Sequence, residues 1–411
     1  MNEKNNSLIE LCNYAKKNSQ YYKKLYNNFS IKTIEDFFNL PFSTSEMYYE
    51  NYDNLKTMEL TGKYTFSTGG STGAPKYIYL SYDELHLNIK CHGSSYQKAG
   101  IAPEDRVAIF GMPGLLTSEF TVYLGLEQTG CFILPIGIFE ELEKIVNLLK
   151  EFKINTLLLM PTDVIILANY CKEKNLQIEI KKIITGGEPL TISMKEYIKS
   201  IFKDVVFGST YQSMDFGTIG YRTEDLLENE FIINNKYQFL EVIDEKGNKV
   251  QEGVVGELIV TNLSRRLLPV IRYKTGDLVK IIDSHLFIIG RLANIPKIGG
   301  EKFQANIIEE YLKKDSLFTG RYQYIIDKKD YMDYILLKLE IKDLKVDEEK
   351  LKQEIREFIL LKQPKLKNQI KNRAIHNIEI NFLLEKNNEF ILTPNTGKLK
   401  NLIDRRQKDG F

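Results

Sequence analysis

The run Ser67-Thr68-Gly69-Gly70-Ser71-Thr72-Gly73-Ala74-Pro75-Lys76 holds the densest cluster of glycines and hydroxyls in the chain, and the apolar Tyr77-Ile78-Tyr79-Leu80 follows directly. Three glycines let the backbone turn its N–H groups inward, the hydroxyls add donors, and Lys76 adds a cation. That combination describes a loop for an anion, with phosphate the expected one. A Walker A loop is disfavoured, because G-x-x-x-x-G-K-[ST] cannot be placed on this spacing. Taken alone, the segment reads equally well as a Gly/Ser/Thr surface loop. Other reactive residue types are dispersed. Cys12, Cys91, Cys131 and Cys171 show no C-x-x-C pairing and read as reduced structural thiols, and the scattered His86, His92, His285 and His376 suggest no metal.

An anion loop needs a frame, and the surrounding pattern predicts one. Residues 7 to 58 read as helical, with Leu8, Leu11, Tyr14 and Ala15 at helical spacing. From about 105 to 190, short runs such as Val107-Ala108-Ile109-Phe110, Thr156-Leu157-Leu158-Leu159-Met160 and Lys182-Ile183-Ile184 alternate with helical stretches such as 140–152, the rhythm of βαβ units and a parallel sheet. Beyond 230 strands dominate, with the turn Asp244-Glu245-Lys246-Gly247-Asn248 between two of them, which predicts a β subdomain. After Gly290-Arg291 the order helix, strand, strand, helix, strand predicts a small α+β domain of its own. The expected fold class is therefore α/β: a large N-terminal α/β domain over 1–289 with a β subdomain, then an α+β domain over 290–411.

Composition limits what this frame can serve. With 411 residues and 43% hydrophobic content the chain can bury a sizeable core. Lys and Arg number 56 against 55 Asp and Glu, so no global field would hold it on nucleic acid or an anionic membrane. The polar opening Met1-Asn2-Glu3-Lys4-Asn5-Asn6 is no signal peptide, and no apolar stretch reaches the roughly 18 residues of a membrane span. A cytoplasmic location is the expectation; the oligomeric state is not legible.

Five strings in order resemble the adenylate-forming superfamily, which holds acyl-CoA synthetases, peptide-synthetase adenylation domains and luciferases. Thr68 to Lys76 resembles its signature loop, and Gly186-Gly187-Glu188-Pro189-Leu190 the stretch that lines adenine. The segment Arg272-Tyr273-Lys274-Thr275-Gly276-Asp277 resembles the R-Y-x-T-G-D motif. Gly290-Arg291 with Lys297-Ile298-Gly299-Gly300 resembles the hinge region, and Thr396-Gly397-Lys398 the C-terminal lysine motif. Tyr14-Ala15, Asn18 to Tyr22 and Leu40-Pro41-Phe42-Ser43-Thr44 are similar to landmarks of the phenylacetate:coenzyme A ligase branch and its capsule-biosynthesis-like members.

The resemblance implies activation of a carboxylic acid by ATP and Mg²⁺ to an acyl-AMP, then transfer to the thiol of coenzyme A or of a carrier protein's phosphopantetheine. An acyl or aryl carrier protein would then be a partner. It favours an aromatic acid, held around 110–120, 135–139 and 186–188. Thr68, Gly69, Gly70, Ser71, Thr72, Gly73 and Lys76 would hold the β and γ phosphates. Asp277 would accept from the ribose hydroxyls and Arg291 would support the same end of the nucleotide. The family's aromatic-G-x-T-E motif has two registers here. Phe207-Gly208-Ser209-Thr210-Tyr211 puts Tyr at the acid, whereas Tyr211-Gln212-Ser213-Met214-Asp215 keeps an acid and is the chosen register. Asp215 would then hold Mg²⁺, while Tyr211, Gln212 and Ser213 join Gly186, Gly187 and Glu188 around the nucleotide; Tyr211 reads alternatively as a core residue. Lys398 is the expected catalytic lysine, bridging carboxylate and α-phosphate. The implied C-terminal domain is mobile, although Ala293 stands where relatives carry a charged hinge residue. Two further readings stay open: transfer to an amine, hydroxyl or protein thiol, and a nucleotide-binding pseudoenzyme, motivated by Asp215 and Ala293.

Overall fold

The computed structural model describes residues 2–57, 63–67, 77–111, 117–137, 141–187, 189–234, 236–292, 296–298, 301–329, 332–343, 347–371, 375–385, 389–392 and 399–406. These form two compact units: 1–160, 173–187 and 202–289 in the first, and 161–172, 188–201 and 290–411 in the second.

The first unit opens with four helices, α1 Asn2–Asn18, α2 Gln20–Leu25, α3 Ile34–Phe38 and α4 Ser45–Leu55. Thr33 caps α3 through a reciprocal capping box with Asp36, and Thr44 caps α4 through Met47 N–H. A hairpin follows, β1 Tyr64–Ser67 and β2 Tyr77–Leu80, with Ser67 paired to Tyr77. Next come α5 Tyr82–Lys98, β3 Arg106–Gly111, α6 Thr117–Glu127, β4 Phe132–Gly137, α7 Leu142–Glu151 and β5 Thr156–Leu159. The alternation expected from the apolar runs is present, and α7 buries Ile145, Val146 and Leu149 along one face.

The remaining strands of this unit are β6 Lys182–Gly186, β7 Val206–Ser213, β8 Gly217–Arg222, β9 Glu230–Ile233, β10 Gln238–Ile243, β11 Gly256–Asn262, β12 Val270–Ile282 and β13 His285–Arg291, whose last two residues fall in the second unit. All eleven strands from β3 to β13 lie in one sheet, ordered β10-β11-β12-β13-β9-β8-β7-β6-β5-β3-β4. β4, β3, β5, β6 and β7 run parallel, and β7 begins the antiparallel part by pairing with β8. The β subdomain is thus hydrogen-bonded onto the parallel strands. Chain direction along the sheet reverses between β3 and β5, and in such sheets ligands bind outside the carboxyl ends of the strands.

The helical N-terminus packs on the antiparallel strands: Leu8, Leu11, Tyr22, Tyr26 and Phe37 share a buried cluster with Leu258, Val260 and Ile271. Backbone stitching fixes its position. Ser43 N–H donates to Arg272 O at 3.0 Å, Lys274 N–H to Ser43 O at 2.9 Å, and Ser43 Oγ to Ile271 O at 2.7 Å.

The second unit contains α8 Pro161–Glu173, whose final residue belongs to the first unit, and α9 Ile192–Ile201. It continues with β14 Lys297–Ile298, β15 Glu301–Lys302, α10 Ile308–Leu312, β16 Phe318–Lys329, β17 Met332–Ile341, α11 Glu348–Lys362, α12 Pro364–Lys371, β18 Ile375–Leu384 and β19 Leu402–Asp404. A four-stranded sheet, β18-β17-β16-β19, backs a core of Phe303, Tyr324, Leu337, Ile355 and Ile359. The Tyr197 hydroxyl of α9 lies against both Asn169 of α8 and Glu385, and Lys172 approaches Glu385 at 3.5 Å. Those polar ties join the two internal helices to the residue that follows β18.

Candidate active site

The carboxyl ends of β6 and β7 bring several of the expected residues together. Gly186 closes β6 opposite Thr210, and Gly187 adopts φ of +78°, a left-handed turn that glycine enters without Cβ strain. Tyr211, near the end of β7, donates its hydroxyl to Asp277 Oδ2 on β12 at 2.5 Å. The Asp277 backbone N–H donates to Thr275 Oγ1 at 3.0 Å, and Gly276 between them has φ of +73°. Asp277 is buried apart from a small exposed portion, and the Tyr211 ring packs near Phe216 and Phe231, at 6.2 and 5.8 Å between centroids. A carboxylate fixed by a phenol beside a tyrosine ring suits an aromatic base with vicinal hydroxyls.

The neighbouring side chain leads elsewhere. The Gln212 amide lies 3.9 Å from where a Cβ on Gly186 would stand, and it interacts with the buried Tyr96 phenol of α5. Tyr96 in turn meets His92 Nδ1 at 3.4 Å. Burial pushes the His92 imidazole down to about 4, so it is neutral at neutral pH. This polar chain is embedded in an apolar cluster with Ile109, Val122, Leu158 and Ile184.

Asp215 follows β7. Its Oδ2 accepts the Tyr273 hydroxyl at 2.7 Å, and burial together with that carboxylate pushes the phenol far above its ordinary value. Arg265 stands near: it is buried, its Nη2 donates to Met214 O at 3.4 Å, and burial lowers its guanidinium below the ordinary value while Glu84 and Asp215 oppose. Among the described residues no group of three or more His, Cys, Asp or Glu could hold a metal. Mg²⁺ commonly takes one or two carboxylates and completes its shell with phosphates and water, so a lone Asp215 at the strand end fits that ion and not an all-protein cage. The rejected register is occupied by packing. Phe207 is buried, and a Cβ on Gly208 would fall 2.4 Å from Ala99 O.

Arg272, in the same motif as Asp277, is architectural. It has φ of +46° and is buried against Glu241, with Nη2 to Oε1 at 2.9 Å and Nε to Oε2 at 3.3 Å. Its Nη1 donates to Phe38 O at 2.6 Å and also to Leu40 O.

Several expected residues lie outside the described ones: Thr68, Gly69, Gly70, Ser71, Thr72, Gly73 and Lys76, then Glu188, Ala293 and Lys398. Parts of the expected acyl stretches, 112–116 and 138–140, do too. Their flanks are described. The β1–β2 pairing holds the two ends of the glycine segment together. Leu392 bridges Leu399 on either side of the lysine motif, and Gln323 Nε2 donates to Ile391 O at 2.9 Å and Lys400 O at 2.8 Å. Ser213 ends β7, half-buried, and its Oγ accepts from Asp215 N–H at 3.2 Å. Arg291 is exposed at the end of β13. Arg265 and Tyr48, which donates to Pro269 O, gave no individual signal in the sequence, and Tyr273 was marked only as part of its motif; their partners are far away in the chain.

A sheet with this switch point, a fixed Tyr–Asp pair and a left-handed glycine at its carboxyl ends defines a nucleotide-binding α/β enzyme. Residues 64–264 match the AMP-binding enzyme family, and the fold is that of adenylate-forming enzymes. Phenylacetate-coenzyme A ligase of Aromatoleum evansii is 24% identical over 349 residues, covering 80% of this chain and 78% of that protein. The phenylacetate-coenzyme A ligase of Pseudomonas putida is 23% identical over 294 residues, covering 67% and 65%. Among solved structures, 2-hydroxyisobutyryl-CoA ligase in the postadenylation state superposes with a TM-score of 0.80 at 18% identity, covering 98% of this chain and 89% of that one.

Proposed function

We propose that the protein activates a small carboxylic acid with ATP and Mg²⁺, releasing pyrophosphate, and passes the acyl group from acyl-AMP to the thiol of coenzyme A. The observation that carries this reading is the Tyr211–Asp277 hydrogen bond, which ties β12 to a residue that lies within the family match and follows the strand partner of Gly186. Tyr211 and Asp277 orient the nucleoside, Asp215 would hold Mg²⁺, and the glycine loop with Lys76 neutralises the outer phosphates. Bound Mg²⁺ supplies charge neutralisation on the triphosphate. The acid's carboxylate oxygen attacks the α-phosphorus, the α–β bridging P–O bond breaks, and its electron pair leaves on pyrophosphate. Lys398, carried by a mobile 290–411 domain, stabilises the carboxylate and α-phosphate as charge shifts. The coenzyme thiol, as thiolate, then displaces AMP.

The phenylacetate ligases among its relatives favour an aromatic acid. A carrier-protein phosphopantetheine is the alternative thiol. Among the described residues no helix is long and apolar enough to cross a membrane, in keeping with action in the cytoplasm. Carboxylate-dependent ATP–pyrophosphate exchange over a panel of aryl and short acyl acids tests activation. Thioester formation with coenzyme A against a loaded carrier protein tests the acceptor. Silence across the whole panel would overturn the reading.

A further inference from the structure

Arg265 is a buried cation next to Asp215 with little hydrogen bonding of its own. Its side chain lines a small cavity with Tyr48, Tyr77, Asp215, Leu268 and Tyr273. Burying a guanidinium is costly unless its donors are answered, yet among the described residues its one hydrogen bond is the 3.4 Å contact to Met214 O. The two nearby carboxylates have other engagements. Glu84 Oε1 accepts Arg266 N–H at 2.5 Å and Leu267 N–H at 2.8 Å, and Oε2 accepts Ser81 N–H at 2.8 Å. Asp215 Oδ2 receives Tyr273.

The cavity has room for little more than one water, so an anion would meet Arg265 at its mouth, and the other walls indicate which anion. Tyr77 and Ile78 begin β2, the strand that leaves the glycine segment, so the cavity borders that segment's exit. Asp215 lines it too. A guanidinium and a carboxylate side by side match a metal-bound phosphate: the carboxylate takes the cation and the fork takes phosphate oxygens. We propose that Arg265 is a binding residue for the outer phosphates of ATP and for the pyrophosphate that leaves. This rests on the nucleotide reading of the site, and it gives a role to a residue upstream of the Arg272-to-Asp277 motif. When the α–β bond breaks, the negative charge that accumulates on the β-phosphate oxygen faces a preplaced cation.

Arg265→Met and Arg265→Lys, with magnesium pyrophosphate and AMP as separate probes, test it by ligand-dependent thermal shift and by titration calorimetry. Loss of a charge-assisted contact should weaken pyrophosphate binding by about 10- to 100-fold in Arg265→Met. The KM for ATP should rise in parallel, and AMP affinity should change less than about twofold, since AMP lacks the β and γ phosphates. Arg265→Lys keeps the charge without the fork and should recover part of the loss. Unchanged pyrophosphate affinity, or equal losses for pyrophosphate and AMP, would overturn the assignment. If Arg265→Met does not fold, Arg265→Lys carries the test: a pyrophosphate-selective weakening of about threefold or more supports it, and none overturns it. Intact pyrophosphate binding in a protein that activates no acid would sink the proposed activity and leave the Arg265 assignment standing.

Discussion

Arg272 and Arg265 lie seven positions apart, both buried, and they have opposite surroundings. Arg272 meets both oxygens of Glu241 and two backbone carbonyls. Arg265 makes one long bond beside a cavity. A guanidinium whose donors are answered inside the protein ties elements together, here α3 and the loop after it to β10 and β12. One left with a single weak partner holds capacity for something that arrives. Bonding, more than burial or residue type, separates architecture from site.

The largest expected break in this comparison is Arg272→Ala. It strands the Glu241 carboxylate, whose protonation burial already favours, and should cost about 3–5 kcal/mol in chemical unfolding. Exchange activity per folded molecule should be retained, and loss of activity without loss of stability would erase the distinction. Lys398→Ala sits at the other pole. Carboxylate-dependent exchange should fall about 100- to 1,000-fold, roughly 3–4 kcal/mol, at an unchanged unfolding midpoint.

The His92 imidazole, held at about 4 against an unfolded value near 6.5, offers a pH test. Its folded value is depressed, so the unfolded chain binds the extra proton between those limits. Stability should therefore fall as pH drops from about 6.5 to 4, by roughly 3 kcal/mol, and His92→Gln should flatten that segment of the curve. The smallest effect is expected from Tyr211→Phe. Losing the phenol donor to Asp277 should raise the KM for ATP by about fivefold, near 1 kcal/mol, with little change in stability.

Much of the frame was legible because it is local. Short apolar runs marked β3, β5 and β6, and the Asp244-to-Asn248 turn fell between β10 and β11 as expected. The continuity of the eleven-stranded sheet was not legible, since pairing β13 with β9 joins residues about fifty positions apart. At the site, motif spacing marked Tyr211 and Asp277, while their hydrogen bond spans 66 positions and has no sequence signature. Gln212 lies by Gly186, with which it was grouped, but its further contact with Tyr96 of α5 had no sequence signal. Arg265 resembles any charged residue in a polar loop until Met214, Tyr77 and Asp215 are placed around it.

The Ser67–Tyr77 pairing carries a lesson for anyone recombining this chain with another. With both ends of the glycine segment clamped by a hairpin, chain-closure entropy changes slowly with length; doubling the nine residues of 68–76 would cost only about 0.6 kcal/mol. Folding therefore exerts little pressure on how long that segment is. A graft of longer or shorter loops between β1 and β2 should yield folded chimeras that differ in what they hold, which makes this hairpin a natural splice point.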